Sequence, residues 1–400
     1  MLYLRILLDA RTISPAPMIS LPAPSADARA HSERVAAHIR GEIARAGGWI
    51  GFARFMELAL YAPGLGYYMA GARKLGAEGD FTTAPELGAL YGHTLARAAA
   101  EALAVAGDEI LEIGAGTGAL AASLLEELER LGRLPQRYLI VELSPELRAR
   151  SRDTLAARVP HLMERVAWLN GLPPAVSGFV IGNEVLDAMP VHVVRTLPNA
   201  IEEAGVTVGI GEAFEWAYRP AAGELARTAR SLDLPEGYTT EIGLVASAFV
   251  ANLARTIERG VALFVDYGFP RREYYHPQRS RGTLMCHYRQ RAHDDPVFLP
   301  GLQDITAHVD FTAVAESARA AGADVLGYTT QAQLLVNCGL TEVMSRVPAE
   351  DPKRYLPLAG AANKLTSPSE MGELFKAIAF GRGVTDGLAA FRSGDRRPAL

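Results

Sequence analysis

The stretch Glu112-Ile113-Gly114-Ala115-Gly116-Thr117-Gly118 sets an acidic side chain ahead of three alternating glycines. Glycines in such a turn admit positive φ angles and let backbone N–H groups come close to a ligand. The acid just before them changes which ligand is welcome. A pyrophosphate facing the turn would be repelled by Glu112, whereas a ligand carrying a sulfonium and an ammonium would be attracted. S-adenosylmethionine is such a ligand. A second acid, Glu142, lies 28 residues after Gly114, where a carboxylate accepts the hydroxyls of an adenosine ribose. A dinucleotide site and a plain structural turn are the rival readings.

A second constellation is Gly182-Asn183-Glu184-Val185-Leu186-Asp187-Ala188-Met189-Pro190. Glu184 and Asp187, three apart in a turn or helix start, present two carboxylates to one side. Enzymes that methylate exocyclic base nitrogens carry an Asn/Asp-Pro-Pro-aromatic run here to hold a flipped base, and this chain has acids instead. Two carboxylates suit a guanidinium, a planar fork of five donors. Its pKa above roughly 12 makes it a poor nucleophile. Acids that localise positive charge on the other nitrogens leave electron density on the attacking one, and positioning for in-line transfer supplies much of the rate. Asn183, Glu184 and Asp187 are therefore the candidate catalytic residues. The competing readings are that Asp187 caps a helix and Glu184 is solvated.

Smaller signals surround these two. Asp80 to Glu86 reads as a lid over the cofactor, with Thr83 as helix cap, Pro85 in the first turn and Glu86 three residues on. Asp266 and Tyr267 end an apolar strand at the same sheet edge and can face the acceptor. His308 and Asp310 alternate on one side of an extended segment. With no third ligand evident, hydrogen bonding is expected there rather than a metal. Arg271 to Arg291 holds six arginines and reads as a long loop, either solvated or gripping acidic protein or RNA.

The elements that must position these residues follow from periodicity. Glu33 to Ala46 and Phe52 to Tyr61 read as amphipathic helices, and a helix capped at Thr83 runs to about Ala106. Strand–helix alternation then begins with strands at Glu109–Ile113, 138–143, 167–169, 179–183 and 261–268. The expected fold is α/β, a doubly wound and mostly parallel sheet that binds ligands at the strands' carboxyl ends. Between the fourth and fifth strands, 191–195, 205–210 and 214–218 alternate like short strands and 242–257 reads as a helix. Helical patterns resume at 311–321 and 330–336, and the segment from Met371 reads as a helix or edge strand closing the sheet.

The 400 residues are 49% hydrophobic and 21% charged, which provides a large core and excludes a disordered or disulfide-stapled chain. A net charge of −5 argues against general nucleic-acid or anionic-lipid affinity. Two isolated cysteines, Cys286 and Cys338, exclude a thiolate zinc site and point to a reducing compartment. No apolar run is long enough to span a membrane. Residues 1–29 read as a flexible leader, 30–107 as a helical segment with the lid, 108–190 as the first part of the core, 191–259 as an inserted substrate-recognition region, and 260–400 as the rest of the core.

These motifs, with Gly66-Tyr67-Tyr68, Gly79-Asp80-Phe81-Thr82-Thr83-Ala84-Pro85-Glu86, Val265-Asp266-Tyr267-Gly268 and Asp304-Ile305-Thr306-Ala307-His308-Val309-Asp310-Phe311, occur in one order. From about Arg34 to Gly381 the chain resembles the S-adenosylmethionine-dependent methyltransferase family that includes mitochondrial complex I assembly factor seven and its bacterial relatives. The resemblance implies a class I methyltransferase fold and, in mitochondrial members, symmetric dimethylation of an arginine in a respiratory complex I subunit. It puts Glu112, Gly114, Gly116 and Glu142 on the cofactor, joined by Ala115, Gly118, Asn183 and the lid residues Thr83, Pro85 and Glu86. Asn183, Glu184 and Asp187 would line the acceptor site, with Tyr67, Asp266, Tyr267 and His308 as further substrate-binding candidates. The implied partner is a protein, with no DNA and no metal. A homodimer is compatible with the pattern. Ala-rich, Arg-over-Lys usage favours a bacterial cytoplasm over a mitochondrial matrix.

Overall fold

Strand Glu109–Ile113 (β1) is buried along its whole length, and its apolar side chains serve two cores at once. Ile110 joins one cluster while Leu111 and Ile113 join another. That two-sided burial explains its nearly uniform apolar run. The computed structural model describes residues 21–70, 83–384 and 387–400. Within it, six further strands complete the main sheet: Arg137–Val141 (β2), Val166–Leu169 (β3), Val176–Asn183 (β4), Ile257–Phe269 (β5), Asp324–Thr330 (β6) and Phe375–Arg382 (β7). Their spatial order is β6-β7-β5-β4-β1-β2-β3, and β7 is antiparallel to both neighbours. The pairs joining β1 through β5 are parallel. A two-residue strand, Val309–Asp310, adds to the end of β5. The α/β, doubly wound expectation is met. Strand order reverses between β1 and β4, so the crevice at their carboxyl ends is the natural ligand position.

Leu90–Ala106, Ala119–Arg130 and Pro145–Arg158 cover one face of this sheet; Leu244–Thr256 and Phe311–Ala320 cover the other. Ser144 caps Pro145–Arg158 by accepting from Leu147 N at 3.3 Å, and Pro145 sits at its start, as its sequence suggests.

A second sheet holds His192–Leu197, Ala200–Val208, Phe214–Pro220 and Thr239–Ile242 from the insert. The N-terminal pair Ile50–Gly51 hydrogen-bonds to it opposite Val206 and Gly205. Val35 and Ile39 of helix Ala26–Arg45, Phe52 and Phe55 of helix Phe52–Tyr61, and Val193 and Val206 of the insert share one core with Ile305. The N-terminal helices and the insert thus pack as one body beside the main sheet.

Four local expectations change. Helix Ala26–Arg45 starts at a Ser25 cap, inside the segment read as a leader. The helix capped at Thr83 is instead a 3₁₀ turn, Ala84–Leu87, broken at Gly88 (φ 127°) before Leu90. Thr83 makes no capping bond, and Ala84 N donates to Glu184 at 3.3 Å. The Arg-rich stretch is not one long loop: it forms Arg271–Tyr274, Pro277–Arg279 and strand Met285–Tyr288, which pairs with Arg291–His293 and Asp304–Thr306. Its anchor is remote. Buried Glu241 accepts from Thr283 N, Thr283 Oγ1 and Leu284 N at 2.9, 3.0 and 3.2 Å. Finally, the segment from Met371 opens as the short helix Met371–Leu374, one of the two readings, and then supplies β7, which is interior; the edge strand on that side is β6.

Among the described residues no helix is long and apolar enough to cross a membrane, and no group of three metal-ligating side chains gathers. Asp80, Phe81 and Thr82 of the expected lid lie outside the described residues.

Candidate active site

β1 ends at Ile113 and the chain turns through Gly114, Gly116 and Gly118 with φ of 69°, 56° and 82°. At Gly118 even a Cβ would lie 2.9 Å from Ser151 Cα, so the turn seats helix Ala119–Arg130 against Pro145–Arg158. Glu142, the residue after β2, ties the turn down: its carboxylate accepts from Gly116 N at 3.0 Å and Ser144 N at 2.9 Å. Glu112 is 2% exposed and accepts from Tyr138 Oη at 2.8 Å. Burial raises its carboxyl to about 7, partly opposed by the Tyr138 hydroxyl. Thr117 Oγ1 donates to Glu86. Glu86, Glu112 and Glu142 therefore converge on one glycine turn and line one cavity of about 1170 Å³. Three acidic side chains disfavour a pyrophosphate there and fit a ligand whose methionine end carries a sulfonium and an ammonium and whose ribose offers two hydroxyls.

The opposite side of the same cavity begins at Asn183, the last residue of β4. Tyr91 Oη donates to Asn183 Oδ1 at 2.6 Å, which leaves Asn183 Nδ2 to donate to Glu184 at 3.0 Å. Glu184 takes a left-handed backbone, φ 53°, uncommon for a non-glycine. Asp266 holds that bend. Fully buried at the end of β5, its Oδ2 accepts from the N–H groups of Val185, Leu186 and Asp187 at 3.1, 2.8 and 3.3 Å. Its Oδ1 accepts from Tyr267 N at 2.9 Å. The turn presents Glu184 and Asp187 to the cavity, where Asp304 joins them. Burial and the nearby Asp187 raise the Glu184 carboxyl to about 8. Asp187, 5% exposed, is raised to about 6 by burial, with the Tyr267 hydroxyl pulling the other way, and among the described residues its Oδ1 has no hydrogen-bond partner. An unpartnered buried carboxylate oxygen is costly unless a donor arrives.

Most predicted residues meet in this cavity: Thr83, Pro85, Glu86, Glu112, Gly114, Ala115, Gly116, Glu142, Asn183, Glu184, Asp187, Tyr267 and His308 all line it. The His308 imidazole is held near 4 by burial and by Arg279 and Lys376. Three residues are placed elsewhere. Gly118 lies behind the turn, packed on Ser151. Tyr67 is buried behind Tyr68 rather than facing the acceptor. Asp266 spends its oxygens on backbone donors and acts on the cavity through the turn. Sequence reasoning passed over Tyr61, Tyr68 and Asp304, which do line it. Tyr68 and Asp304 stand inside motifs already quoted, but nothing in their spacing reveals that Tyr68 Oη donates to Asp304 Oδ1 at 2.8 Å.

A parallel sheet with an antiparallel β7, a glycine turn after β1 and acids at the ends of β1 and β2 define a class I S-adenosylmethionine-dependent methyltransferase. A family model of S-adenosyl-L-methionine-dependent methyltransferases matches residues 94–329, over half the chain, and the chain belongs to that family. Its cofactor is S-adenosylmethionine. Among solved structures, a Burkholderia thailandensis protein bound to S-adenosyl-homocysteine is 53% identical, with a TM-score of 0.92 over 95% of this chain and all of its own. Among characterised relatives, the mitochondrial protein arginine methyltransferase NDUFAF7 homolog of Drosophila melanogaster is 29% identical, covering 90% of this chain and 88% of its own. The mitochondrial protein arginine methyltransferase NDUFAF7 of Danio rerio is 28% identical, with 82% of each chain covered.

Proposed function

We propose that this methyltransferase modifies an arginine side chain of a protein. The observation that carries this reading is the acidic acceptor side, where Glu184, the unpartnered Asp187 Oδ1 and Asp304 face one space beside the glycine turn. A guanidinium offers five donors to such a set and relieves the burial of its charges. When bound, S-adenosylmethionine supplies an electrophilic methyl on a positively charged sulfur. Glu112 and Glu142 hold that cation's side of the cleft. Asp187 and Asp304 draw positive charge onto the nitrogens they face, and Glu184, whose raised carboxyl a bound guanidinium would ionise, accepts the proton the attacking nitrogen loses. The names of the Drosophila and Danio relatives support arginine as the acceptor. From the family resemblance we further infer symmetric dimethylation of a respiratory complex I subunit or another protein, and from the Arg-over-Lys composition a bacterial cytoplasm; a non-catalytic assembly factor that binds the cofactor is the alternative.

The test is methyl transfer from labelled S-adenosylmethionine into cell lysate, with mass-spectrometric mapping of the product. Methylarginine in a protein is the expected outcome. Asp187→Asn should lower transfer by about a hundredfold, in the range for deleting one member of a buried charge pair, while S-adenosylhomocysteine affinity stays within about threefold. Label found only in RNA or a small molecule, or undiminished in the variant, overturns the reading.

A further inference from the structure

Tyr61 and Tyr68 are brought together by a doubling-back of the chain that only glycine permits. Helix Phe52–Tyr61 ends at Tyr61, and Gly66 N then returns to Ala62 O at 2.8 Å. A Cβ on Gly66 would sit 2.5 Å from the Leu60 carbonyl and Tyr61 N. Tyr67 N and Tyr68 N donate to Ala59 O and Leu60 O at 2.8 and 2.9 Å, which lays the Tyr68 ring on that of Tyr61. The ring centroids are 5.4 Å apart and the planes 21° from parallel.

Both hydroxyls are tied to the acceptor side. Tyr61 Oη donates to the carbonyl of Ala188, next to Asp187, at 2.9 Å, and Tyr68 Oη donates to Asp304 at 2.8 Å. The rings are half-buried and line the cavity with Glu184, Asp187 and Asp304. Carboxylates alone attract any cation. Aromatic faces add a preference for one that is flat and weakly hydrated, which describes a guanidinium better than a primary ammonium.

We propose that Tyr61 and Tyr68 form the aromatic wall that selects a planar guanidinium over a lysine ammonium at the acceptor site. This rests on the arginine reading above and adds the source of its selectivity. The wall acts through ring faces, so the hydroxyls serve only to hold the rings in place.

The experiment measures binding of acetyl-arginine methylamide and acetyl-lysine methylamide to the full chain saturated with S-adenosylhomocysteine. The wild type should prefer the arginine probe by about tenfold, the scale of a desolvated cation–π contact. Tyr61→Leu and Tyr68→Leu should each weaken the arginine probe by about five- to tenfold and leave the lysine probe within twofold. Tyr61→Phe and Tyr68→Phe should stay within about threefold of wild type. S-adenosylhomocysteine affinity reports folding in every variant. Equal affinity of the wild type for the two probes, selectivity surviving in the Leu variants, or a tenfold loss in the Phe variants overturns the proposal. If the wild type binds the lysine probe and not the arginine probe, the arginine reading itself falls.

Discussion

The two sides of the cleft are built in opposite ways. The side proposed for the cofactor is local: Glu112 through Gly118 is seven consecutive residues, and Glu142 and Ser144 follow one strand later. The acceptor side is assembled from distant pieces. Tyr61 and Tyr68 come from the N-terminal segment, Glu184 and Asp187 from the end of β4, Asp304 from beyond the insert, and Tyr68 meets Asp304 across 236 residues. The cofactor side is fixed by a turn and two helix starts, so backbone changes should damage it most. The acceptor side is fixed by the Asp266 carboxylate under its backbone turn, so a one-atom change at that residue should matter there.

The largest expected effect lies on the cofactor side. Gly116→Val puts a branched residue at φ 56° in the turn that Glu142 holds. Backbone strain of about 1–3 kcal/mol adds to the loss of ligand space, so calorimetry should show S-adenosylhomocysteine affinity falling by at least about a hundredfold. Undiminished affinity would move the site elsewhere.

Next in size is a one-atom change on the acceptor side. Asp266→Asn keeps an oxygen for Val185, Leu186 and Asp187 but turns an NH₂ toward the Tyr267 N–H. One unsatisfied buried donor costs about 1–3 kcal/mol. Single-turnover rates should fall by roughly tenfold as the turn loosens, with cofactor affinity unchanged. A drop in cofactor affinity with normal turnover would reverse the assignment of the two sides.

A further effect, read as a slope against pH, is on stability. Burial raises the Glu184 carboxyl from the usual 4.5 to about 8. The folded protein therefore binds more protons than the unfolded chain across that interval. Stability is fully present below the unfolded pKa and declines as pH rises through the folded one. Thermal midpoints without acceptor should fall between about pH 4.5 and pH 8, and Glu184→Gln should flatten that slope. An unchanged slope in the variant would place the titration elsewhere.

The contrast also explains what was legible in the sequence. β1 matches residue for residue because its run is buried on both faces and ends in glycine, and the acids of both sides stand out because Glu112 directly precedes the glycines and Glu184 and Asp187 lie three apart after an apolar strand. Partnerships across long stretches of chain were not visible. Asp266 reads as a substrate ligand, and only the fold shows one oxygen taken by the turn at 185–187 and the other by Tyr267 N. The arginine-rich stretch looked like a loop because its anchor, Glu241, stands about forty residues away. β6 escaped because Asp324–Thr330 includes Gly327 and runs directly into the helix expected at Thr330.

The interior place of β7 has a consequence for how the molecule is completed. It enters antiparallel between β5 and β6, pairing with both along Phe375–Arg382. A nascent chain released before residue 375 would hold β6 beside an empty slot, with the flank of β5 bare. The ribosome must deliver the chain through Arg382 before the sheet can shut, so products cut short of it should be left with open strand edges for proteases to find.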